Sequence, residues 1–256
     1  MRVGNRLEPT PFAEALHPDL DAALAAVESL YTSGTAFDPS TLRRSFVLAG
    51  TDFSEWLLLP ALAARLGREA PGVEVHCRAL GNEGERALQE RQVDLAFGTR
   101  FEARSGLVTR TIAPDHLVTL LRSGHPAARR LDLTRYTKLE HVLVTPRGAP
   151  GSPVDIALGR QGLSRRVVLR VTHFSAAAAV VAQSDLVVTL PSSFARLMAR
   201  SLPLVIRPLP LEVPPFTFGL AWNAQLSRDP AHRYFRDLVA GIAKTAMTPP
   251  RAAARR

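Results

Sequence analysis

The sequence predicts an α/β protein with two lobes, preceded by a long helix and a polar linker. Short apolar stretches alternate with helix-like stretches along most of the chain, which is typical of parallel sheets covered by helices on both faces. Two such series of similar length follow one another, which indicates two lobes. A heptad pattern of apolar residues comes before the first series. With 256 residues, the chain is long enough for two lobes of about 100 residues each.

The long helix is predicted over residues 11–33. Thr10 and Pro11 form a helix start, because a hydroxyl N-cap is followed by proline at the first helical position. The apolar residues that follow recur at alternating steps of three and four. They are Ala13, Leu16, Leu20, Ala23, Val27 and Leu30. A seam this narrow favours pairing with another helix, and packing on its own domain is the alternative. The polar residues 34–43 are predicted to be a linker.

The first series begins with the strand-like stretch RSFVLAGT, which is followed by the helix-like stretch DFSEWLLLPALAARLGREAP. It closes with two predicted strands, LVTRTIA and HLVTLLR. We expect a tight turn between these strands near Pro114-Asp115, because proline and aspartate are common in turns.

The second series contains the predicted strands HVLVTP and RRVVLRVT, each followed by a helix-like stretch. A long helix from about Pro230 to Met247 completes the folded part of the chain. Residues 248–256 are predicted to be a disordered basic tail.

Composition and charge exclude some classes of protein. No apolar run is long enough to span a bilayer, and the N-terminus lacks the residue order of a signal peptide, so we expect no membrane partner and a cytoplasmic location. The single cysteine, Cys77, is expected to be an ordinary buried thiol. The net charge of +9 suggests an anionic partner, although a solvated basic surface gives the same total.

Patterns that carry catalysis or cofactor binding are missing from the sequence. It holds no nucleophile elbow, no phosphate-binding loop and no dinucleotide-binding glycine motif. The histidines and carboxylates form neither a metal-ligand spacing nor an acid/base pair. We therefore expect no catalytic residues, no metal and no cofactor. An enzyme whose active site assembles from distant residues is the remote alternative.

Hydroxyl and aromatic residues recur where predicted strands end. Thr51, Thr145 and Thr172 each follow a strand, and Phe53 and Phe174 stand next to two of them. The carboxyl ends of parallel strands lie along one edge, where ligands bind. Helix N-termini at that edge suit a carboxylate. The sequence therefore predicts a small pocket of mixed polarity between the lobes, while plain helix capping remains the alternative for each single residue.

Several segments of the sequence, in the order in which they occur, resemble those of a LysR-type transcriptional regulator. They are RLEPTPFAEAL, LLLPALAARLGREAPGVEV, VDLAFGT, LLRSGHPAA, GSPVDIALGRQGLSRRVVLRVTHF, QSDLVVTLPSSFARLMA and DPAHRYFRDLVAGI. They extend from residue 2 to about residue 247. These segments are most similar to the branch of the family that includes nodulation regulators and sensors of salicylate or nitroaromatic acids.

The resemblance implies a role for the N-terminal residues. Residues 1–10 resemble the wing that follows a helix-turn-helix, with Arg2, Asn5 and Arg6 placed to contact the DNA backbone. Residues 11–33 resemble the dimerising linker helix. The helix-turn-helix that would enter the major groove of promoter DNA is mostly missing from the sequence, so a truncated N-terminus is expected.

The resemblance also implies a two-lobed fold like that of periplasmic binding proteins. Lobe I would comprise residues 44–119 and 220–247, and lobe II residues 120–219. A small effector, either an aromatic compound or a carboxylic acid, would bind between the lobes. The implied effector-binding residues are Thr51, Asp52, Phe53, Thr99, Thr145, Thr172, His173 and Phe174. Asp52 stands where a hydroxyl residue is common in the family, and a protonated His173 would offset its charge.

Three hypotheses follow from the sequence. The first is a truncated LysR-type regulator that controls transcription from promoter DNA in response to its effector and self-associates as a dimer or tetramer. The second is a stand-alone module that binds effector and dimerises without binding DNA. The third is an enzyme that acts on a small molecule, for which the residues offer no support.

Overall fold

The computed structural model describes residues 2–3, 6–7, 10, 12, 16–24, 37–81, 83–99, 101, 106–146, 148 and 151–248. These residues belong to two compact units, residues 1–38 and residues 39–256. The sequence predictions for Asn5, Val27 and Leu30, and for the tail from residue 249 onwards, lie outside the described residues. So do the predictions for the side chains of Arg2 and Arg6.

The first unit contains two short strands and a helix. β1 (Arg2–Val3) pairs with β2 (Arg6–Leu7) in an antiparallel ribbon. Helix α1 (residues 16–24) is exposed along its whole described length. Leu16 and Leu20, which belong to the predicted seam, are 40% and 52% exposed.

The second unit alternates strands and helices. Its strands are β3 (Arg44–Gly50), β4 (Val73–Ala79), β5 (Leu95–Thr99), β6 (Leu107–Asp115), β7 (Leu117–Arg122), β8 (Glu140–Val144), β9 (Arg166–Val171), β10 (Val187–Pro191), β11 (Leu204–Pro208) and β12 (Phe216–Asn223). Its helices are α2 (Asp52–Glu69), α3 (Gly84–Gln89), α4 (Leu133–Lys138), α5 (Pro153–Gly159), α6 (Phe174–Ala182), α7 (Ser192–Met198) and α8 (Pro230–Met247).

The strands form two five-stranded sheets. The first sheet has the order β4-β3-β5-β12-β6, and the second has the order β11-β7-β10-β8-β9. β3 is parallel to β4 and β5, and β8 is parallel to β9 and β10. β12 is antiparallel to both of its neighbours. The chain therefore passes from the first sheet to the second after β6 and returns before β12, which is an α/β fold with two lobes.

The turn expected near Pro114-Asp115 is wrong. β6 continues through both residues, where Pro114 pairs with Thr217 and Asp115 with Phe216 of β12. The next strand belongs to the other sheet. A proline and an aspartate at the end of an edge strand therefore mark the crossing between the sheets and not a hairpin.

The prediction for Cys77 is also wrong. Cys77 is exposed, because β4 lies at the edge of the first sheet.

The main hydrophobic core joins the two sheets. It contains residues of β3, β5 and β12 from the first sheet, of β7, β8 and β10 from the second, and of the helices between them. Phe46 of β3 stacks on Phe235 of α8 with ring centroids 4.3 Å apart, which fixes the last helix on the first sheet. Within the described part of the chain, no helix is long and apolar enough to cross a membrane.

Candidate functional site

The carboxyl ends of the parallel strands place most of the predicted effector-binding residues. Thr51 follows β3, Thr99 is the last residue of β5, and Thr145 follows β8. Thr172 and His173 follow β9 and precede α6. These positions agree with the general rule that ligands bind outside the carboxyl ends of strands in α/β folds.

Plain capping by side chains does not explain the two helix starts nearest this edge. Thr51 is the N-cap of α2, and His173 is the N-cap of α6, yet neither side chain forms a capping hydrogen bond. Thr51 contributes its backbone oxygen instead, which accepts from the N–H groups of Ser54 and Glu55 at 2.8 and 3.2 Å. The donors at the start of α6 are satisfied from another part of the chain.

Asp52 satisfies them. Its Oδ1 accepts a hydrogen bond from the backbone N–H of Phe174 at 3.0 Å. Its Oδ2 accepts from the backbone N–H and the hydroxyl of Ser175, each at 2.8 Å. Asp52 begins α2, which follows the first sheet, and both partners begin α6, which follows a strand of the second. One carboxylate thus connects the two lobes at the edge where a ligand would bind. We call this set of hydrogen bonds the Asp52 clasp.

A second carboxylate connects the lobes at the crossing between the sheets. Asp115 ends β6 and accepts from the N–H and hydroxyl of Ser192 at 3.1 and 2.6 Å. It also accepts from the N–H and hydroxyl of Ser193 at 3.2 and 2.5 Å. Asp115 is only 6% exposed. We call this set the Asp115 clasp.

Phe53 lies in the core and does not form an open pocket wall. It is 1% exposed, and its ring is in edge contact with the rings of Phe194 at 5.3 Å and Phe218 at 4.9 Å. Phe174 packs on the same ring at 6.0 Å and is half-buried. The expectation that Phe53 faces a ligand therefore needs correction, because its neighbours enclose it, while Phe174 retains accessible surface.

His173 does not contact the Asp52 carboxylate through its ring. Nδ1 of His173 lies 3.0 Å from the hydroxyl of Thr172, and both residues are exposed. The negative charge of Asp52 is offset instead by the N–H groups at the start of α6, where the helix dipole is positive.

Sequence reasoning missed Ser175, Asp115, Ser192 and Ser193. The serines stand at helix starts, which was a visible signal, but their acceptors are distant in sequence. Asp52 and Ser175 are separated by 123 residues, and Asp115 and Ser192 by 77.

A groove of about 430 Å³ lies beside the Asp52 clasp, between α2, α6 and the end of α7. It is lined by Trp56, His173, Ser175, Ala176, Ala179, Met198, Ser201 and Leu202. Trp56 is 48% exposed. A second cavity of about 470 Å³ lies against α3 and β4 and contains none of the predicted residues.

A buried polar network holds the second lobe in shape. Arg165, whose side chain is 2% exposed, donates to Asp155 at 2.7 Å and to the hydroxyl of Tyr136 at 3.1 Å. Burial opposes the ionised form of Asp155, but the hydrogen bonds from Arg165 and Ser152 outweigh it and hold the pKa of this carboxyl below its usual range. Burial also lowers the pKa of His141 to about 4. Nε2 of its neutral ring donates to the backbone oxygen of Tyr136 at 2.9 Å. The network is structural, because each charge has its partner within the lobe.

Among the described residues, no group of three histidine, cysteine, aspartate or glutamate side chains is arranged to hold a metal ion.

Comparison with known proteins identifies the family. Residues 40–243 match the LysR substrate binding domain. This chain belongs to the LysR family. The HTH-type transcriptional activator NagR of a Ralstonia species is 31% identical over 240 residues, which cover 93% of this chain and 80% of NagR. The activator NahR of Pseudomonas putida is 31% identical over 241 residues, with the same coverage of both chains.

Solved structures agree with this assignment. The crystal structure of a probable transcriptional regulator from Pseudomonas aeruginosa is 31% identical and superposes with a TM-score of 0.71, covering 94% of this chain and 80% of that one. The resemblance and the fold class inferred from the sequence are thus confirmed. The chain contains the effector-binding domain of a LysR-family transcriptional regulator, and its relatives are regulators of transcription, which points away from an enzyme.

Proposed function

We propose that this LysR-family protein binds a small effector, an aromatic compound or a carboxylic acid, between the lobe built on the first sheet and the lobe built on the second. The main support for this proposal is the Asp52 clasp, which connects the strand ends of the two lobes through one carboxylate. A ligand at this edge touches both lobes and therefore has different contacts when their relative position changes. Such a ligand shifts the position of the lobes by its difference in affinity for the two arrangements.

The chemistry of the edge supports a small ligand of mixed polarity. Thr51, Thr99 and Thr145 offer half-buried hydroxyl groups, and Phe174 offers part of an aromatic ring. Thr172 adds an exposed hydroxyl. Pockets that combine a few hydrogen-bonding groups with aromatic surface suit small organic compounds.

The response is carried to DNA through the N-terminal part of the protein. The ribbon formed by β1 and β2 suits the wing of a winged helix, with Arg2, Asn5 and Arg6 at the phosphate backbone. Such contacts position a protein on DNA, whereas bases are read by a helix in the major groove. Helix α1 pairs with its copy in a dimer through the exposed Leu16, Leu20 and Ala23. The heptad pattern of the sequence assigns Val27 and Leu30 to the same interface.

The test uses protein purified from its native cell, so that any residues before Met1 are retained. A panel of small aromatic acids and their neutral analogues is screened by thermal shift, and each compound that binds is added to a gel-shift series on DNA from the promoter regions next to the protein's own gene. We expect at least one compound to raise the melting temperature and to change the DNA complex.

Variants locate the binding site. Replacing Thr99 and Thr145 together by valine should lower the affinity for the compound at least about tenfold, since two hydroxyl groups at the strand ends are lost. Thr137→Val is the matched control, because Thr137 lies directly before the start of β8, at the opposite end of that strand from Thr145. Equal binding by both variants, or no effect of any compound on the DNA complex, overturns the proposal.

A further inference from the structure

We propose that Asp52 is a built-in carboxylate ligand of α6, so that the protein selects effectors whose group at this end of the cleft is neutral or positively charged. This inference rests on the proposed function, because it concerns the effector of the same site. It decides between the two effector classes that the sequence left open, an aromatic compound and a carboxylic acid.

The hydrogen bonds of the Asp52 clasp leave little for an incoming carboxylate to bind at α6. The first N–H groups of a helix have no partners within the helix. In α6, those of Phe174 and Ser175 are both taken by Asp52, one by each carboxylate oxygen. The Ser175 hydroxyl is taken as well. These are the interactions that a helix N-terminus would offer to an anionic ligand.

Charge opposes a second carboxylate at the same place. Such a group would lie within a few ångströms of the carboxylate of Asp52, which is half-buried and therefore poorly screened by water. A neutral amide or hydroxyl group donates to the free lone pairs of Asp52 without this repulsion. An ammonium or amidinium group gains from the same charge.

The Asp52 clasp is the one of the two clasps that a ligand can reach. Asp115 is 6% exposed and sealed at the crossing between the sheets. Asp52 is half-buried, and its partner Ser175 also lines the groove of about 430 Å³ together with Trp56. A dissolved carboxylate therefore has access to the position of the Asp52 side chain, whereas it has no access to that of Asp115.

The first experiment tests the built-in ligand without any effector. Asp52→Ala frees the N–H groups of Phe174 and Ser175, and sodium acetate is the probe. We expect acetate, compared with sodium chloride at equal ionic strength, to raise the melting temperature of Asp52→Ala. Acetate should also shift the amide resonances of these two residues in a saturable way. The unsubstituted protein should show neither effect.

Glu55→Ala is the matched control, because it removes a carboxylate from the same first turn of α2 and leaves the Asp52 clasp in place. An equal response of all three proteins to acetate, or unmoved amides in Asp52→Ala, overturns the proposal. Should Asp52→Ala not fold, Asp52→Ser is compared in the same way, since serine is the kind of hydroxyl residue that can start a helix.

The second experiment tests selectivity with a matched pair of probes, benzoate and benzamide. Quenching of Trp56, one helical turn from Asp52, reports binding, and Trp56→Phe identifies its share of the signal. We expect the unsubstituted protein to bind benzamide at least about tenfold more tightly than benzoate, and Asp52→Ser to lose or reverse that preference. The same preference in both proteins overturns the proposal. If neither probe binds either protein, the proposed effector site fails for simple aromatic compounds, while the acetate experiment still decides the role of Asp52.

Discussion

Replacing Asp115 by alanine is expected to lower the free energy of unfolding by about 4 kcal/mol. The carboxylate accepts five hydrogen bonds, from the N–H of His116 and from the N–H and hydroxyl groups of Ser192 and Ser193. Ser192 and Ser193 are 5% and 3% exposed, so water cannot replace the lost acceptor. The hydroxyl of Ser192 keeps a partner, because Arg196 donates to it at 2.9 Å.

The magnitude follows from the groups that are left without a partner. Each buried donor that loses its acceptor costs about 1–3 kcal/mol, and the N–H and hydroxyl of Ser193 are the donors concerned. The N–H of Ser192 keeps a partner, because it also donates to the backbone oxygen of His116 at 2.9 Å.

Urea unfolding followed by circular dichroism measures the effect, and hydrogen exchange locates it. The backbone amide of Ser193 should lose protection in Asp115→Ala, whereas that of Ser192 keeps the backbone oxygen of His116 as its acceptor. The control is Asp185→Ala, which removes a 69% exposed carboxylate paired with Arg122 and should cost less than about 1 kcal/mol. A loss below about 1 kcal/mol in Asp115→Ala, or one equal to that of the control, would refute the account of the Asp115 clasp.

Three further predictions concern the core and the buried charges. Because burial lowers the pKa of His141 to about 4 while the unfolded residue has about 6.5, the unfolded chain binds a proton that the folded chain does not. Stability should therefore fall by about 3 kcal/mol as the pH drops from about 6.5 to 4, and His141→Gln should flatten this part of a urea-unfolding pH profile. Phe53→Ala should cost about 3–5 kcal/mol in urea unfolding, since a 1% exposed ring is removed, whereas Trp56→Ala, at 48% exposure, should cost clearly less. Arg165→Met should cost about 2 kcal/mol by the same measurement, because the Asp155 carboxylate loses its charged partner but stays partly exposed and keeps its hydrogen bonds from Ser152.

Each of these predictions has an outcome that contradicts it. An unchanged pH profile in His141→Gln would assign the acid sensitivity to other groups. Equal losses of unfolding free energy in Phe53→Ala and Trp56→Ala would mean that the aromatic cluster around Phe53 does not stabilise the packing of the two sheets. An Arg165→Met variant with an unchanged free energy of unfolding would show that Asp155 forms a hydrogen bond with another partner.

Much of the local structure could be predicted from the sequence. The last helix is predicted from Pro230 to Met247 and is observed over those residues, because Asp229 accepts from the first N–H groups and proline occupies the first helical position. The strand RSFVLAGT and the helix that follows it appear as β3 and α2, since apolar periodicity depends only on neighbouring residues. The family is also visible in the sequence, because its motifs occur in order along nearly the whole chain.

The pairing of strands is different, because it depends on residues far apart in the chain. The stretch around Pro114-Asp115 has the composition of a turn, yet it pairs with residues of β12 about 100 positions later. A local pattern contains no information on which strand will be the neighbour, so the expected hairpin was an error of this kind.

The sequence by itself determined which side chains stand at the ends of strands, and it therefore predicted where polar groups such as Thr51 and Thr172 would gather. Only the tertiary structure decided what Asp52 contacts, because its partners Phe174 and Ser175 are more than 120 residues away and belong to the other lobe. Hydroxyl and acidic residues at helix starts signal capping, but the packing of the two sheets selects which helix each of them caps. For this reason the placement of these residues at strand ends could be predicted from the sequence, and the occupation of α6 by the protein's own carboxylate could not.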